Sequence, residues 1–199
     1  MLDSHGWLEI IWQWSNSVVF QWKSWEVDKF SDNQSKLAQE AKNLWEASRI
    51  FYSFYPDGLR IWEYTFFLPK LIEDDSWNKI KPKLTISKAE GLSYLSLFYL
   101  DFYKDRLDPL LLWTDKDVLD TLKRNSLDSV PYYVMEEDPM WKILYRRMES
   151  FWKNIRRSDG IETFIEILQE IGINPSDLNP GNFMKDNQQK VIIFIDFGC

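Results

Sequence analysis

Cysteine and histidine are almost absent from this sequence of 199 residues, which has one cysteine, Cys199, and one histidine, His5. A single cysteine cannot form a disulfide within the chain, and a cysteine-based zinc site is equally excluded. A single histidine excludes a histidine-ligated metal centre and a Ser-His-Asp catalytic triad. Because a free cysteine without disulfides is typical of a reducing compartment, we expect a cytoplasmic protein.

The sequence also lacks long apolar runs and a basic N-terminal region. No apolar run approaches the ~20 residues that a membrane-spanning helix needs. The first six residues read MLDSHG, which include an acid and none of the basic residues that open a signal peptide. We therefore expect neither a signal peptide nor a membrane partner.

An excess of positive charge is missing as well. The chain has 24 Lys and Arg against 31 Asp and Glu, and its net charge is -7. Nonspecific nucleic-acid binding depends on Lys and Arg that neutralise phosphates, so we expect no nucleic-acid partner. A nucleotide ligand is still allowed, since one lysine and a metal ion can meet its charge.

Apolar and aromatic residues are plentiful. Hydrophobic residues make up 45% of the chain and aromatic residues 17%, with eleven Trp. This composition excludes a disordered chain, and the length is enough for one domain or two small lobes with a real core. The Trp residues can anchor either that core or a partner surface.

The N-terminal part of the chain has the pattern of strands around one long helix. Three short runs rich in β-branched and aromatic residues predict strands near residues 8–14, 18–22 and 25–30, with Lys29 on the third. Apolar residues at three- and four-residue steps predict a helix over 32–55, which ends where Pro56 and Gly58 follow. Residues 59–72 then predict two more strands.

The pattern changes after residue 72. Residues 73–84 are polar, include Pro82 and predict a linker. Apolar stripes at helical spacing then predict helices, and these stripes are typical of core faces. The predicted helices cover residues 86–106, 115–122, 140–157 and 161–171.

The last 25 residues carry the densest set of chemically active side chains. Asp177 lies in a turn after the last helix, and Asn182 follows five residues later. A hairpin is predicted from 182–184 and 191–195, and it delivers Asp196 directly before Phe197 and Gly198. Taken alone, these polar residues are also typical of turns and strand ends.

This order of motifs resembles the protein-kinase-like superfamily. The features that carry the resemblance are Asp-x-x-x-x-Asn, an Asp-Phe-Gly after a hairpin, and a lysine on the third strand. The resemblance implies ATP and Mg²⁺ as ligands, with Asp177 as catalytic base and with Asn182 and Asp196 as metal ligands. It also implies that Lys29 contacts the nucleotide phosphates. A glutamate on the helix would orient Lys29, and we expect Glu46 in preference to Glu40.

The resemblance implies an α+β, bilobal fold with a nucleotide cleft. Residues 1–72 would form a small β-rich N-lobe with its long helix, residues 73–84 the hinge, and residues 85–199 a mostly helical C-lobe. The strand that ends near residue 72 would lead to the hinge. Because the sequence ends one residue after Gly198, the C-lobe is expected to be truncated, without an activation segment.

The motifs depart from those of most protein kinases. The first predicted turn, Ser15 to Ser17, has no glycine, and Pro175 stands where the family usually has histidine. The run Asn179-Pro180-Gly181-Asn182 is more similar to compact divergent microbial, bacteriophage or bacterial-effector members. The resemblance therefore implies a minimal serine/threonine protein kinase with a protein substrate or a host protein partner.

Three other functions stay open on the sequence. A pseudokinase would keep the fold, with or without the nucleotide, and act through a protein partner. A small-molecule phosphotransferase of the aminoglycoside or choline type would also lack an activation segment. A mostly helical interaction protein would use its aromatic residues as a binding surface.

Overall fold

In the part of the chain that is described, the protein has an α+β fold with two five-stranded sheets and four α-helices. This computed structural model describes residues 9–14, 17–23, 26–31, 33–77, 83–87, 91–104, 142–175 and 177–195. The strands are β1 (Glu9–Trp14), β2 (Ser17–Lys23), β3 (Glu26–Ser31), β4 (Leu59–Ile61), β5 (Tyr64–Phe67), β6 (Leu71–Asp75), β7 (Lys83–Ser87), β8 (Leu92–Ser93), β9 (Phe183–Asp186) and β10 (Val191–Phe194). The helices are α1 (Gln34–Phe54), α2 (Tyr94–Lys104), α3 (Lys142–Ser158) and α4 (Ile161–Glu170).

The first sheet contains the three N-terminal strands, as the sequence predicts. Its strand order is β1-β2-β3-β7-β6, and every neighbouring pair in it is antiparallel. In the pairing of β3 with β7, Asp28 lies opposite Thr85 and Lys29 lies opposite Leu84. Successive side chains of a strand point to opposite faces, so Asp28 and Lys29 lie on opposite faces of this sheet.

The second sheet joins the middle of the chain to its C-terminal hairpin. Its order is β4-β5-β10-β9-β8. The central pair, β5 and β10, is parallel, whereas the other pairs are antiparallel. The hairpin of β9 and β10 was predicted from the sequence and is confirmed.

The predicted linker over residues 73–84 is wrong at both ends. Residues 73–75 lie in β6 and residues 83–84 lie in β7, and these two strands pair with each other in the first sheet. Strand β5 pairs in parallel with β10 at the other end of the sequence. A polar composition and a proline are as typical of a turn between strands as they are of a linker. Pairing between strands that are distant in sequence leaves no local pattern that could predict it.

Helix α1 confirms the predicted helix over 32–55 and connects the two sheets. The helix begins after Asn33, whose side-chain oxygen accepts a hydrogen bond from Lys36 N at 3.0 Å. Its first turns pack Leu37 and Ala41 against Leu71 of the first sheet. Its later turns belong to the main core. With 21 residues, α1 is about 31 Å long, which is enough to reach both.

The main core lies between the second sheet, the C-terminal half of α1 and α4. Phe66 of β5 stacks on Phe164 of α4 at 4.6 Å between ring centroids, and Phe51 of α1 meets the same ring edge-on. Phe183 and Phe194 of the hairpin pack together at 4.7 Å and are fully buried. The residue just before Phe183 is therefore held against a rigid aromatic core.

The remaining helices agree with the predictions only in part. Helices α3 and α4 match the predicted 140–157 and 161–171, but the predicted helix over 86–106 is shortened because β7 and β8 occupy its start. The predicted helix over 115–122 lies outside the described residues. Among the helices that are described, none is long and apolar enough to cross a bilayer.

Candidate active site

Lys29 of β3 forms a buried ion pair with Glu40 of α1. Lys29 Nζ donates to Glu40 Oε1, and the two side chains are each 11% exposed. Glu46 lies on the exposed side of the same helix. The prediction that Glu46 is the partner of Lys29 is therefore wrong, and Glu40 takes that position.

The helical phase of α1 explains why Glu40 is the partner. Residues three and four apart lie on one face of a helix, and Glu40 follows Leu37 by three and precedes Leu44 by four, both of which are buried. The connection from Ser31 at the end of β3 to Gln34 at the start of α1 is short. This close approach places the first turns of α1, and hence Glu40, beside β3.

The loop that carries Asp177 is organised by its own side chains. Asp177 Oδ1 accepts from Asn179 N at 3.3 Å, and Asp177 Oδ2 accepts from Asn179 Nδ2 at 2.8 Å. Asn179 Oδ1 in turn accepts from Gly181 N at 2.8 Å and caps a short 3-10 turn over Pro180–Asn182. The loop thus holds the Asp177 carboxylate in one orientation while leaving that residue exposed.

Asn182 lies completely buried at the end of this turn. Its Nδ2 donates to the Asp177 carbonyl oxygen at 3.1 Å, and a carbonyl can only accept, so the amide orientation of Asn182 is determined. Its other side-chain atom, Oδ1, is buried and has no hydrogen-bond partner. An unsatisfied buried acceptor costs roughly 1–3 kcal/mol, so Asn182 Oδ1 is an unused acceptor held at a fixed position at some cost in stability.

Two long-range hydrogen bonds hold the loop in place. Trp152 of α3 donates its indole Nε1–H to the Leu178 carbonyl at 3.0 Å. Ile195 N donates to the Asn182 carbonyl at 2.9 Å, which ties the end of the hairpin to the turn. Asp196, the next residue in the sequence, lies outside the described residues, as does the predicted first turn at residues 15 and 16.

A polar network below the hairpin was not predicted. Asp159, at the turn between α3 and α4, is buried; its Oδ2 accepts from Tyr94 Oη at 2.6 Å and from Lys185 Nζ at 2.5 Å. Burial, together with the Asp159 carboxylate, raises the pKa of the Tyr94 hydroxyl. Lys185 also lies 4.6 Å from the centre of the Tyr64 ring. Through Lys185 the network holds β9, which is the strand that follows Asn182, against Asp159 and Tyr94.

A pocket of about 870 Å³ opens beside Asp177. One wall is the Asp177 loop with Leu178, Asn179 and Pro180, and the other is a polar face of α3 with Arg146, Lys153 and Arg156. The sequence motifs did not predict these α3 residues as part of a site. The sequence did contain a signal for them: Arg146, Lys153 and Arg156 follow one another at steps of seven and three, which places basic residues on one face of a helix.

No protein-family model matches this chain, and no curated protein matches it. Among solved structures, the chain is similar to a structure of the GDP and kanamycin complex of APH(2")-IIia, with 12% identity and a TM-score of 0.40. The match covers 98% of this chain and 68% of the other. At that TM-score and identity, the likeness establishes neither the fold nor the activity of the protein.

The structure groups the predicted residues into two sets. Lys29 is held by Glu40 on the first sheet, and Asp177 and Asn182 share the loop before β9, joined by the hydrogen bond from Asn182 Nδ2 to the Asp177 carbonyl oxygen. The described ranges contain no cluster of three or more His, Cys, Asp or Glu side chains that could hold a metal by themselves. A metal at this loop would therefore need Asn182 Oδ1, a hard oxygen of the kind Mg²⁺ prefers, together with ligands from elsewhere.

Proposed function

We propose that this protein is a kinase-like phosphotransferase that binds ATP with Mg²⁺ and transfers its terminal phosphoryl group to a serine or threonine hydroxyl of a protein. The observation that carries the proposal is the buried, unpartnered Oδ1 of Asn182. It belongs to the asparagine that the motif spacing singles out as a metal ligand. A plain structural turn would gain nothing from a buried acceptor without a donor.

The Lys29–Glu40 pair supports the same proposal. A buried lysine on the third strand that is oriented by a glutamate of the following helix can present its ammonium to nucleotide phosphates. Burying such a pair carries a desolvation cost, which makes a purely stabilising role a weak explanation for it. Glu40 would orient Lys29, and Lys29 would contact the phosphates.

Asp177 has the position and the chemistry for the transfer step. Its carboxylate is exposed beside the pocket and its orientation is set by Asn179. In the proposed step it orients the acceptor hydroxyl and takes its proton, as the hydroxyl oxygen bonds to the terminal phosphorus. The bond from that phosphorus to the bridging oxygen breaks, and ADP leaves.

Asn182 and Asp196 are the proposed metal ligands. Asn182 Oδ1 is held in place by the hydrogen bond that its amide nitrogen makes, and Asp196 follows Ile195, which is hydrogen-bonded to Asn182. Bound Mg²⁺ would neutralise negative charge that develops on the phosphate oxygens. Both residues supply the hard oxygen atoms that this ion requires.

Calorimetric titration with ATP in the presence and absence of Mg²⁺ tests the proposal. We expect saturable binding that requires Mg²⁺, and a loss of about tenfold or more in affinity for Asn182→Ala and for Asp196→Ala. The matched control is Asn187→Ala, which changes an exposed asparagine at the tip of the same hairpin and should bind like the natural protein. Thermal melting of each variant shows whether it is folded. The absence of any Mg²⁺-dependent binding by the natural protein would refute the proposal.

A further inference from the structure

Helix α3 is strongly basic in an acidic protein. Its 17 residues include six Lys or Arg and one Glu, whereas the whole chain has a net charge of -7. Arg146, Lys153 and Arg156 line the pocket beside Asp177. We call these three residues the basic row. Arg146 and Arg156 are ten positions apart, so the row extends about 15 Å along the helix.

The carboxylates of the pocket have partners, whereas the basic row has none in the described part of the chain. Glu149 accepts from Tyr145 Oη at 3.1 Å, and Glu162 lies 3.5 Å from Arg157 Nε, which is not part of the row. Both carboxylate oxygens of Asp177 accept from Asn179. Glu162 is the carboxylate with an ionic partner, whereas the partners of Glu149 and Asp177 are neutral, so three cations of the lining face two unneutralised carboxylates and the balance is positive by one charge.

Arg156 gives independent support for a missing anionic ligand. Its Nε–H is buried and has no hydrogen-bond partner, although the residue lines the pocket. A guanidinium binds carboxylates and phosphates through two parallel hydrogen bonds, and Nε–H is one of the donors of that fork. A solvated helix face would leave such a donor in contact with water instead.

We propose that the pocket binds an acidic, extended segment of a protein, and that the basic row sets this specificity. The role of this pocket in presenting a hydroxyl of the bound segment to Asp177 rests on the phosphotransferase function proposed above. A row of about 15 Å matches four or five residues of an extended chain at about 3.3 Å each. A single small anion would reach only part of it. Leu178 and Pro180 add apolar surface on the opposite wall, which suits the aliphatic stems of a peptide.

The test is a binding measurement without nucleotide or metal. Fluorescence anisotropy is measured with a labelled peptide in which glutamates flank one serine, and with matched peptides in which glutamine or lysine replaces each glutamate. We expect the acidic peptide to bind with an affinity that falls as the salt concentration is raised. The glutamine and lysine peptides should bind at least about tenfold more weakly.

Substitutions assign the binding to the basic row. We expect a loss of about threefold for Arg146→Gln and for Lys153→Gln, which are exposed, and of about tenfold for Arg156→Gln. The matched control is Arg147→Gln, which removes the same charge from the neighbouring exposed position outside the pocket lining and should change affinity less than about twofold. The two exposed variants keep the test valid if Arg156→Gln does not fold.

Each outcome separates this inference from the proposed function. Equal binding of the acidic and the glutamine peptides, or an equal loss in Arg147→Gln and Arg146→Gln, would overturn the inference even if Mg²⁺-dependent ATP binding is found. Competition by inorganic phosphate as effective as that by unlabelled peptide would make the pocket a small-anion site and overturn the peptide assignment. Acidic-peptide binding that depends on the basic row supports the inference, even if ATP binding fails and the phosphotransferase proposal falls with it.

Discussion

Individual side chains of this protein take their roles from the face of the element on which they lie. Glu40 and Glu46 have the same chemistry and are six positions apart on α1, yet only Glu40 lies on the buried face that contacts β3. Asp28 and Lys29 are neighbours in sequence but face opposite sides of the first sheet. Asp28 accepts from Thr85 Oγ1 at 2.6 Å, whereas Lys29 contacts Glu40.

The contrast between the two glutamates gives a prediction for stability. Glu40→Gln removes a carboxylate that Lys29 contacts and so weakens a buried, charge-assisted hydrogen bond, and the free energy of unfolding should fall by about 1.5–3 kcal/mol. Glu46→Gln is the matched control and should change it by less than about 0.5 kcal/mol, because the side chain is exposed. Urea unfolding followed by tryptophan fluorescence measures both. Equal effects of the two substitutions would show that the ion pair does not contribute to stability.

At the scale of elements, short strands place the loop that carries Asn182. Strand β8 pairs with β9, with Leu92 opposite Lys185 and Ser93 opposite Met184. Gly91, just before β8, has a φ of 97°. A Cβ at this position would lie 2.2 Å from the Lys185 carbonyl oxygen, which is a backbone atom of β9. The absence of a side chain at residue 91 therefore allows β8 to approach β9.

Because β8 and β9 lie so close together at residue 91, we expect the stability of the protein to be sensitive to a single methyl group added there. Gly91→Ala should lower the free energy of unfolding by about 3 kcal/mol or more, because it adds a backbone clash to the strain of positive φ. Gly172→Ala is the matched control: Gly172 has a φ of 85° but no atom within 4 Å of the added Cβ, so about 1–2 kcal/mol of strain is expected. Chemical denaturation of the two variants gives the difference. A Gly91→Ala protein as stable as Gly172→Ala would mean that β8 can move away from β9 without cost.

For the molecule as a whole, one core connects α1, whose Glu40 contacts Lys29, to the two hairpin strands that follow Asn182. The same helix that carries Glu40 near its start buries Phe51 near its end, and Phe51 meets Phe164 of α4. That core continues through Phe66 to Phe183 and Phe194 of the hairpin. Helix α1 is thus packed against both sheets, and its position affects both parts of the candidate site.

The shared core predicts that unfolding is cooperative. Phe51→Ala creates a cavity in a fully buried position and should cost about 3–5 kcal/mol, while a single transition is retained. Phe54→Ala, at the last residue of the same helix, changes a ring that is 61% exposed and should cost less than about 1 kcal/mol. Thermal unfolding by circular dichroism and by tryptophan fluorescence should give one coincident transition. Separate transitions in the Phe51→Ala protein would indicate that the two sheets unfold independently.

Local patterns were sufficient to predict several elements of this fold. Helical periodicity predicted α1, α3 and α4, and runs of β-branched and aromatic residues predicted the three N-terminal strands, because these elements are specified by residues that are close in sequence. The same holds for the hairpin of β9 and β10. The resemblance to a known order of motifs singled out Asn182 and Lys29 as candidate site residues, and the structure shows that both are buried.

The tertiary structure decided what no local pattern contains. The partner of Lys29 depended on how closely α1 follows β3, and the pairing of β5 with β10 joins residues more than 120 positions apart. The unsatisfied Oδ1 of Asn182 and the basic row beside Asp177 appear only when side chains from distant parts of the chain come together. By itself the sequence predicted which residues would carry the chemistry. Long-range packing determined which of them meet and which atoms stay available for a ligand, because burial and hydrogen bonding are properties of the assembled core.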